Sequence, residues 1–161
     1  MVSYPTCTDI AMLPGTPCQY KYAQHLADIQ SCPPVGTSNE DATLFRFVFS
    51  ELAHGNNFLP PQIIKPGREF QDPVERCSAF ALSLFRTTDE ATAAYRKLKA
   101  NNKKIGKRIG THLARISLRR ADGALTPEDE EGHCDLHEHQ DCDLLPRATM
   151  LGPIEQGSNN E

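Results

Sequence analysis

Apolar residues alternate in two sets along the segment ATLFRFVFSEL, residues 42–52. One set is Phe45, Phe47 and Phe49, and the other is Leu44, Arg46, Val48 and Ser50. Because the side chains of a β-strand point to opposite faces in turn, both faces of a strand formed here are largely apolar. A strand of this kind is typical of the interior of a sheet, so the pattern predicts a central strand.

Three further segments have strand patterns, and one segment has a helical pattern. The predicted strands are CSAFALSLF at 77–85, RIGTHLARISL at 108–118 and the more polar EGHCDLHEHQDCDLL at 131–145. Thr87 and Glu90 have the spacing of a capping box, and an apolar stripe of helical period follows them. This pattern predicts one main helix over about 88–100.

Strands separated once by a helix and otherwise by loops indicate an α+β fold, with a small mixed or antiparallel sheet and one main helix. We divide the chain into an N-terminal arm at 1–41, a core domain at 42–145 and a tail at 146–161 that we expect to fray. The arm contains a predicted short helix, with Thr16 as its N-terminal cap and Pro17 as its first residue. The sequence has neither a P-loop nor a Gly-x-Gly-x-x-Gly motif, so a doubly wound nucleotide-binding fold is not expected.

The segment 53–73 is predicted to be a long loop, because it holds four prolines and two glycines. Loops of this length within a compact domain are often lids or binding segments. The sequence therefore makes this loop a candidate surface for binding a partner.

The composition of the 161 residues favours a cytoplasmic protein that is not inserted in a membrane. No stretch approaches the roughly 18 apolar residues of a membrane span, and the first residues lack the charged and apolar regions of a signal peptide. The six cysteines form no Cys-x-x-Cys pair, and we expect them to be free thiols, with Cys77 buried in an apolar strand.

Charge is strongly segregated, although the net charge is only −4. Residues 96–120 contain ten Lys or Arg and no acid, whereas 121–143 contain nine Asp or Glu and no base. The basic run could bind nucleic acid, since neutralised phosphates drive such binding. We favour pairing within the chain, across neighbouring strands of the sheet.

The last predicted strand also carries a candidate metal site. On one face it would present His133, Asp135, His137, His139 and Asp141. Imidazole and carboxylate groups are ligands for zinc or iron, so His133, His137 and His139 are the predicted metal ligands. One strand rarely supplies a whole site, and His54 and His112 are candidates for the remaining ligands. Alternatively, the stretch is a polar strand face that pairs with the basic run.

Each predicted strand carries a polar residue where its neighbours are apolar, and these residues are Arg46, Ser83, His112 and Glu138. If the faces that bear them meet, the four side chains converge in one cleft and form a candidate catalytic site. Each also has a structural explanation. Arg46 and Glu138 could form a buried ion pair, Ser83 is small enough for a core, and a single histidine is often simply hydrogen-bonded there.

Five motifs between residues 43 and 145 carry a resemblance. LFRFVFSE, NNFLPP, ALSLFRTTDEA, IGTHLARISL and GHCDL together resemble a family of short bacterial proteins of unassigned biochemical role.

The order of a strand arginine, a strand serine before a helix and a late glutamate also resembles the ADP-ribosyltransferase superfamily. This resemblance implies that Arg46 holds the phosphates or a ribose of NAD and that Ser83 supports the nicotinamide ribose. It implies that Glu138 stabilises an oxocarbenium-like transition state. The choice of carboxylate among Asp135, Glu138 and Asp141 stays open.

Three functions follow as hypotheses. The first is an accessory or protein-interaction domain, whose arm and 53–73 loop contact a partner protein. The second is an enzyme of the ADP-ribosyltransferase type or a degenerate NAD-binding relative, as in toxins or effectors. The third is a metal-binding protein. The corresponding cofactors would be NAD or a divalent metal.

Overall fold

The computed structural model describes residues 19–154 and contains one antiparallel sheet of six strands, in the order β4-β5-β2-β1-β3-β6. The strands are β1 (Ala42–Val48), β2 (Leu82–Phe85), β3 (His112–Leu118), β4 (Gly123–Leu125), β5 (His133–Glu138) and β6 (Ala148–Pro153). The helices are α1 (Ala23–Leu26), α2 (Pro61–Ile64), α3 (Pro73–Ser78), α4 (Thr88–Asn101) and α5 (Gly106–Ile109), and two 3-10 turns lie at Arg120–Asp122 and Leu145–Arg147. The predicted α+β class with an antiparallel sheet and one main helix is confirmed.

Helix α4 begins where the capping box predicts. The hydroxyl of Thr87 accepts a hydrogen bond from the backbone N–H of Glu90 at 3.1 Å, which satisfies one of the free donors of the first turn. The buried residues Ala91 and Tyr95 of the helix pack toward the sheet. The predicted position of the main helix is therefore correct.

The two faces of the sheet are covered differently. One face packs under α4 and α5 in a cluster that includes Phe45, Phe47, Phe85, Ala91, Tyr95, Ile105 and Leu113. The other face carries Leu44, Val48, Leu82, Leu84, Ile116 and Leu136, which pack with Leu52, Phe58, Cys142 and Leu144 from loops. Helices thus cover one face and irregular segments cover the other, so β1 is central and apolar on both sides.

Two predicted strands are shorter than expected because each is preceded by a helix. Cys77 lies in α3, whose N-terminus is capped by the side chain of Asp72 and continued by Pro73. Helix α5 occupies the start of the third predicted strand. It ends at Gly110, because the φ of 89° at this residue is incompatible with a right-handed helix.

Strands β4 and β6 were not predicted. Strand β6 pairs with β3, so the expectation of a frayed tail after Pro146 is wrong for Ala148–Pro153. In the N-terminal arm, α1 is a single turn at Ala23–Leu26, and the predicted helix start at Thr16 and Pro17 lies outside the described residues.

Cys32 and Cys77 form a disulfide bond that joins the segment before β1 to α3. The expectation of free thiols is wrong for this pair, because the fold brings together two cysteines separated by 45 residues in sequence. Cys134 and Cys142 are free and buried.

The two charged runs are not on neighbouring strands. Strands β2 and β1 lie between β5 and β3, so the predicted pairing across adjacent strands is wrong. An ion pair between Lys97 on α4 and Glu131, at 2.6 Å, does join the two runs. No helix within residues 19–154 is long and apolar enough to cross a membrane.

Candidate functional site

Strands β1 and β2 are joined by a single residue pair, Phe45 with Phe85. By contrast, β1 pairs with β3 along its whole length. Beyond Phe45 and Phe85 the two strands separate, and we call this gap the seam. The guanidinium of Arg46 bridges the seam, donating from Nη1 to the carbonyl oxygen of Ser83 at 2.9 Å and from Nε to the carbonyl oxygen of Asn57 at 2.7 Å.

The side chain of Asn57 holds the loop after β1, whose carbonyl oxygen at Asn57 accepts the hydrogen bond from Nε of Arg46. Its side chain accepts from the backbone N–H of Phe49 at 2.7 Å and donates to the carbonyl oxygens of Glu51 and Leu52. Because Asn57 is buried and all these bonds are to backbone groups, it holds the turn after β1 in one shape. The carbonyl oxygen of Asn57 is thereby placed beside Arg46.

Arg46 carries its positive charge between two neutral carbonyl oxygens. Burial lowers the pKa of its guanidinium to about 10, and the negative charge of Glu138 acts in the opposite direction. Arg46 therefore stays charged at neutral pH. Its two hydrogen bonds within the described residues use Nε and Nη1, and neither uses Nη2.

A cleft of about 710 Å³ opens beside the seam, and we call it the basic cleft. Its walls come from α4 and α5 on one side and from the 56–68 segment on the other. The basic side chains that line it are Arg46, Lys65, Arg68, Lys97, Lys107 and Arg108. Its apolar wall includes Phe47, Phe49, Phe85, Leu98, Ile64 and Ile109.

The basic cleft has the opposite charge to the chain as a whole. Six basic and two acidic side chains line it, the acids being Asp129 and Glu131, so it has a formal excess of four positive charges. The whole chain has a net charge of −4. Positive charge that is concentrated in a concave site with apolar walls raises the local concentration of anions.

Ser83 and His133 lie at the inner wall of the basic cleft. The Oγ of Ser83 is 2.6 Å from Nε2 of His133, and the two share a hydrogen bond. Asp129 lies near the other ring nitrogen, with its Oδ2 3.7 Å from Nδ1, and Oδ1 of Asp135 is 3.5 Å from Nε2. A serine, a histidine and a carboxylate in this order are the groups that activate a nucleophile in hydrolases, although 3.7 Å is longer than a hydrogen bond.

Asp135 sits behind this pair. Burial raises the pKa of its carboxyl, while the nearby His133 ring and a hydrogen bond from the Ser78 hydroxyl at 2.8 Å act in the opposite direction. Ser78 belongs to α3, so this contact also ties α3 to β5. The arrangement gives the cleft a polar inner wall that can accept hydrogen bonds as well as donate them.

The structure does not bring together all four polar residues that the sequence predicts. Arg46 is opposite Ala114 and His112 is opposite Val48, so both side chains project from the face that also carries Glu138. Ser83 projects from the other face, and Arg46 reaches its carbonyl oxygen only through the seam. The predicted convergence is therefore wrong, because side chains that are opposite in register share a face.

Glu138 and His112 each have a structural environment away from the basic cleft. Glu138 is buried and accepts a hydrogen bond from Nζ of Lys21 at 2.7 Å. Burial raises the pKa of Glu138, and this contact with Lys21 is the main opposing influence. His112 lies at the end of β3, where its Nδ1 is 2.9 Å from the hydroxyl of Thr111. Neither residue lines the cleft.

The three histidines predicted as metal ligands lie in three different environments. His133 contacts Ser83, His137 contacts Cys77, and His139 lies beside the carbonyl oxygen of Ala121 and the ring of Tyr20. His54, a candidate for a further ligand, stacks on Phe49. The prediction that His133, His137 and His139 share one cation is wrong, because successive ligands on a strand are too far apart to converge.

Sequence reasoning missed Lys65, Arg68 and Asp129 as cleft residues. The first two lie in the loop that was predicted to bind a partner, so its length and prolines were the available signal. Asp129 lies in the acidic run, where the pattern gave no reason to single it out. Lys97, Lys107 and Arg108 belong to the basic run that the sequence did identify.

Comparison with known proteins adds no family. The chain matches no protein-family model, no curated protein and no solved structure. The geometry of the described residues is therefore what supports a function.

Proposed function

We propose that the basic cleft binds an anionic small molecule that carries a planar ring, of the chemical class of nucleotides. The observation that carries this proposal is the position of Arg46. Its charged guanidinium is fixed at the seam by two carbonyl oxygens, and one end of it remains for a ligand. A partly buried cation without a directly bonded carboxylate is costly, and a bound anion offsets that cost.

The size and walls of the cleft agree with this ligand class. A volume of about 710 Å³ falls within the range of roughly 300 to 1,000 Å³ typical of small-molecule sites. Phenylalanine rings on the wall can contact a planar ring, and arginine can grip a phosphate or carboxylate with two parallel hydrogen bonds. A small anion alone would use the basic groups and leave this apolar wall exposed to water.

An NAD-binding enzyme is the second candidate. It is favoured by the presence of Arg46 and Ser83 at one cleft, as the resemblance to ADP-ribosyltransferases implies. Glu138 cannot contact a ligand there, so the carboxylates available for that role are Asp129 and Glu131. NAD is itself an anion with planar rings, and release of nicotinamide would distinguish turnover from binding.

Binding is tested by titrating the protein calorimetrically with ATP, NAD and inorganic pyrophosphate. We expect a nucleotide to bind more tightly than pyrophosphate, because pyrophosphate lacks a ring. A variant that combines Lys65→Gln, Arg68→Gln and Arg108→Gln should lose at least about 10-fold in affinity, which corresponds to about 1.4 kcal/mol. These side chains are largely exposed, so the variant should fold.

The matched control combines Arg96→Gln, Lys103→Gln and Lys104→Gln, which removes the same charge outside the cleft. Its affinity should stay within about twofold of the wild type. Equal losses in the two variants would show only a diffuse charge effect and would contradict the proposal. If none of the three anions binds, the cleft is not a site of this class, and the accessory or interaction role of the 53–73 loop becomes the better proposal.

A further inference from the structure

The disulfide between Cys32 and Cys77 lies directly against a buried histidine. His137 of β5 is 1% exposed and Cys77 of α3 is 2% exposed. The Nε2 of His137 is 3.8 Å from the Sγ of Cys77. Among residues 19–154, the ligand atoms of Cys32, Cys77 and His137 form a group that lies within 4.8 Å, and the group combines two sulfurs with an imidazole.

His137 is poorly partnered for a buried polar side chain. Its Nδ1 is buried and has no hydrogen-bond partner among the described residues, while Nε2 faces only sulfur. An unsatisfied buried polar group costs about 1 to 3 kcal/mol, and sulfur is a weak hydrogen-bond partner. The fold therefore keeps an imidazole where packing alone would favour an apolar side chain.

The three groups are a donor set for zinc. Zinc is bound by cysteine thiolates at about 2.3 Å and histidine nitrogen at about 2.0 Å, in tetrahedral geometry. These bond lengths place neighbouring ligand atoms about 3.5 to 3.8 Å apart. Nε2 of His137 and Sγ of Cys77 are 3.8 Å apart, close to the roughly 3.5 Å that these bond lengths give for a nitrogen and a sulfur on one zinc ion. Burial lowers the pKa of His137 to about 4, so the ring is neutral at neutral pH, as a ligand must be.

We propose that the reduced protein binds one Zn²⁺ ion through Cys32, Cys77 and His137, with water as the fourth ligand, and that the disulfide and the metal exclude each other. A dithiol reductant supplies two electrons and two protons to the disulfide and is itself oxidised to a disulfide. Zn²⁺ then displaces both thiol protons as the thiolates bind it. In the reverse direction, a small-molecule disulfide accepts two electrons from the two thiolates and, with two protons from water, is reduced to two thiols. The sulfurs of Cys32 and Cys77 bond to each other, and the Zn²⁺ ion is released. This site shares only His137 with the metal site that the sequence predicts.

The test compares oxidised and reduced protein in zinc titrations against a chromogenic chelator. Reduced protein should bind one zinc per chain, and oxidised protein should bind none at this site. Cobalt in place of zinc should give the absorption of a thiolate-to-metal charge transfer. His137→Asn should weaken zinc binding at least about 100-fold, because loss of a group that only orients a ligand already costs about 10- to 100-fold.

The variants Cys32→Ser and Cys134→Ser form the matched pair of thiol changes. Cys32 is a proposed ligand and only half-buried, so its replacement should leave a folded chain, which circular dichroism checks. Cys134 is a free buried thiol outside the group, and its replacement should leave zinc affinity unchanged. Absence of stoichiometric zinc in the reduced wild type, or zinc affinity unchanged in both Cys32→Ser and His137→Asn, would overturn the proposal.

Discussion

Arg46 donates a hydrogen bond to the carbonyl oxygen of Ser83, 2.9 Å away, across the gap between two strands that are joined by one residue pair. Here a side-chain hydrogen bond joins two strands that would usually be joined by backbone hydrogen bonds. The same guanidinium closes the seam and is one of the groups that line the basic cleft.

Replacing Arg46 by lysine should therefore destabilise the fold while keeping the charge. A lysine ammonium lacks the planar fork that reaches both Ser83 and Asn57, so at least one carbonyl oxygen loses its partner. We expect a loss of about 1 to 3 kcal/mol in the free energy of unfolding, measured by urea denaturation. The exposed Arg96→Lys is the control and should leave the urea midpoint unchanged; an equally unchanged midpoint for Arg46→Lys would contradict the bridging role.

Gly110 ends α5 in a conformation that alanine cannot adopt cheaply. Its φ is 89°, and a Cβ atom there would overlap the carbonyl group of Val48. We expect Gly110→Ala to cost more than about 2 kcal/mol in unfolding free energy. Gly67 has open space and an ordinary φ, so Gly67→Ala is the matched control and should have little effect. Thermal melts of the two variants should separate clearly, and similar melting temperatures would argue against this packing.

The sequence predicts those elements whose pattern is local. Strand β1 alternates cleanly and α4 carries its own cap, so both lie where expected. Strand β4 has only three residues, and β6 alternates between half-buried and exposed positions, so neither has a strong apolar pattern. Helix α3 had a usable signal in Asp72 followed by Pro73, which the apolar run after it obscured.

The position of the basic cleft could not be predicted from local sequence patterns, because it depends on how distant strands pair. Its seam lies between β1 and β2, and its position follows from where their pairing stops. The side on which Ser83 projects depends on its register with β1 and β5, and a shift of one residue would reverse it. Residue types alone identified Arg46 and Ser83 as unusual, but they could not show that Ser83 projects from the face opposite to that of Arg46 and Glu138.

Lys21 and Glu138 form a largely buried ion pair, and the destabilisation caused by removing Lys21 should depend on pH. Lys21 donates to the Glu138 carboxylate at 2.7 Å and to the carbonyl oxygen of Cys142 at 2.8 Å. Lys21→Met should cost about 2 kcal/mol at pH 8, because a buried carboxylate is left without its cation. At pH 5 the loss should shrink, because the pKa of Glu138, already raised by burial, rises further and the carboxyl takes up a proton.

The comparison pair for this experiment is Lys97 and Glu131, which is exposed on both sides. Lys97→Met should give no measurable change in unfolding free energy at either pH, because solvent screens such pairs. Urea denaturation of both variants and of the wild type, at pH 8 and at pH 5, measures these changes. A pH-independent loss for Lys21→Met would contradict the role assigned to the buried carboxylate.

Reduction of the disulfide should destabilise the metal-free protein. The bond closes a loop of 45 residues, and removing such a constraint from the unfolded chain corresponds to about 4 kcal/mol in the chain-entropy model. We expect this loss when urea curves are measured with and without a reductant, in the presence of a chelator. Cys32→Ser should show the loss without any reductant and no further loss when the reductant is added.

The buried ring of His137 should make the oxidised protein less stable in mild acid. Its pKa is lowered to about 4 by burial, from an unfolded value near 6.5, so between these values the unfolded chain binds more protons than the folded one. Its contribution is therefore complete above about pH 6.5 and is lost as the pH falls toward 4. We expect the free energy of unfolding to fall by about 2 kcal/mol between pH 7 and pH 5.

Asp135 and Glu138 have raised pKa values and act in the opposite direction. The measurement is therefore the difference in unfolding free energy between wild type and His137→Asn at each pH. The stability of the wild type relative to His137→Asn should be about 2 kcal/mol lower at pH 5 than at pH 7. A relative stability that is the same at both pH values would show that the ring is not held neutral by burial.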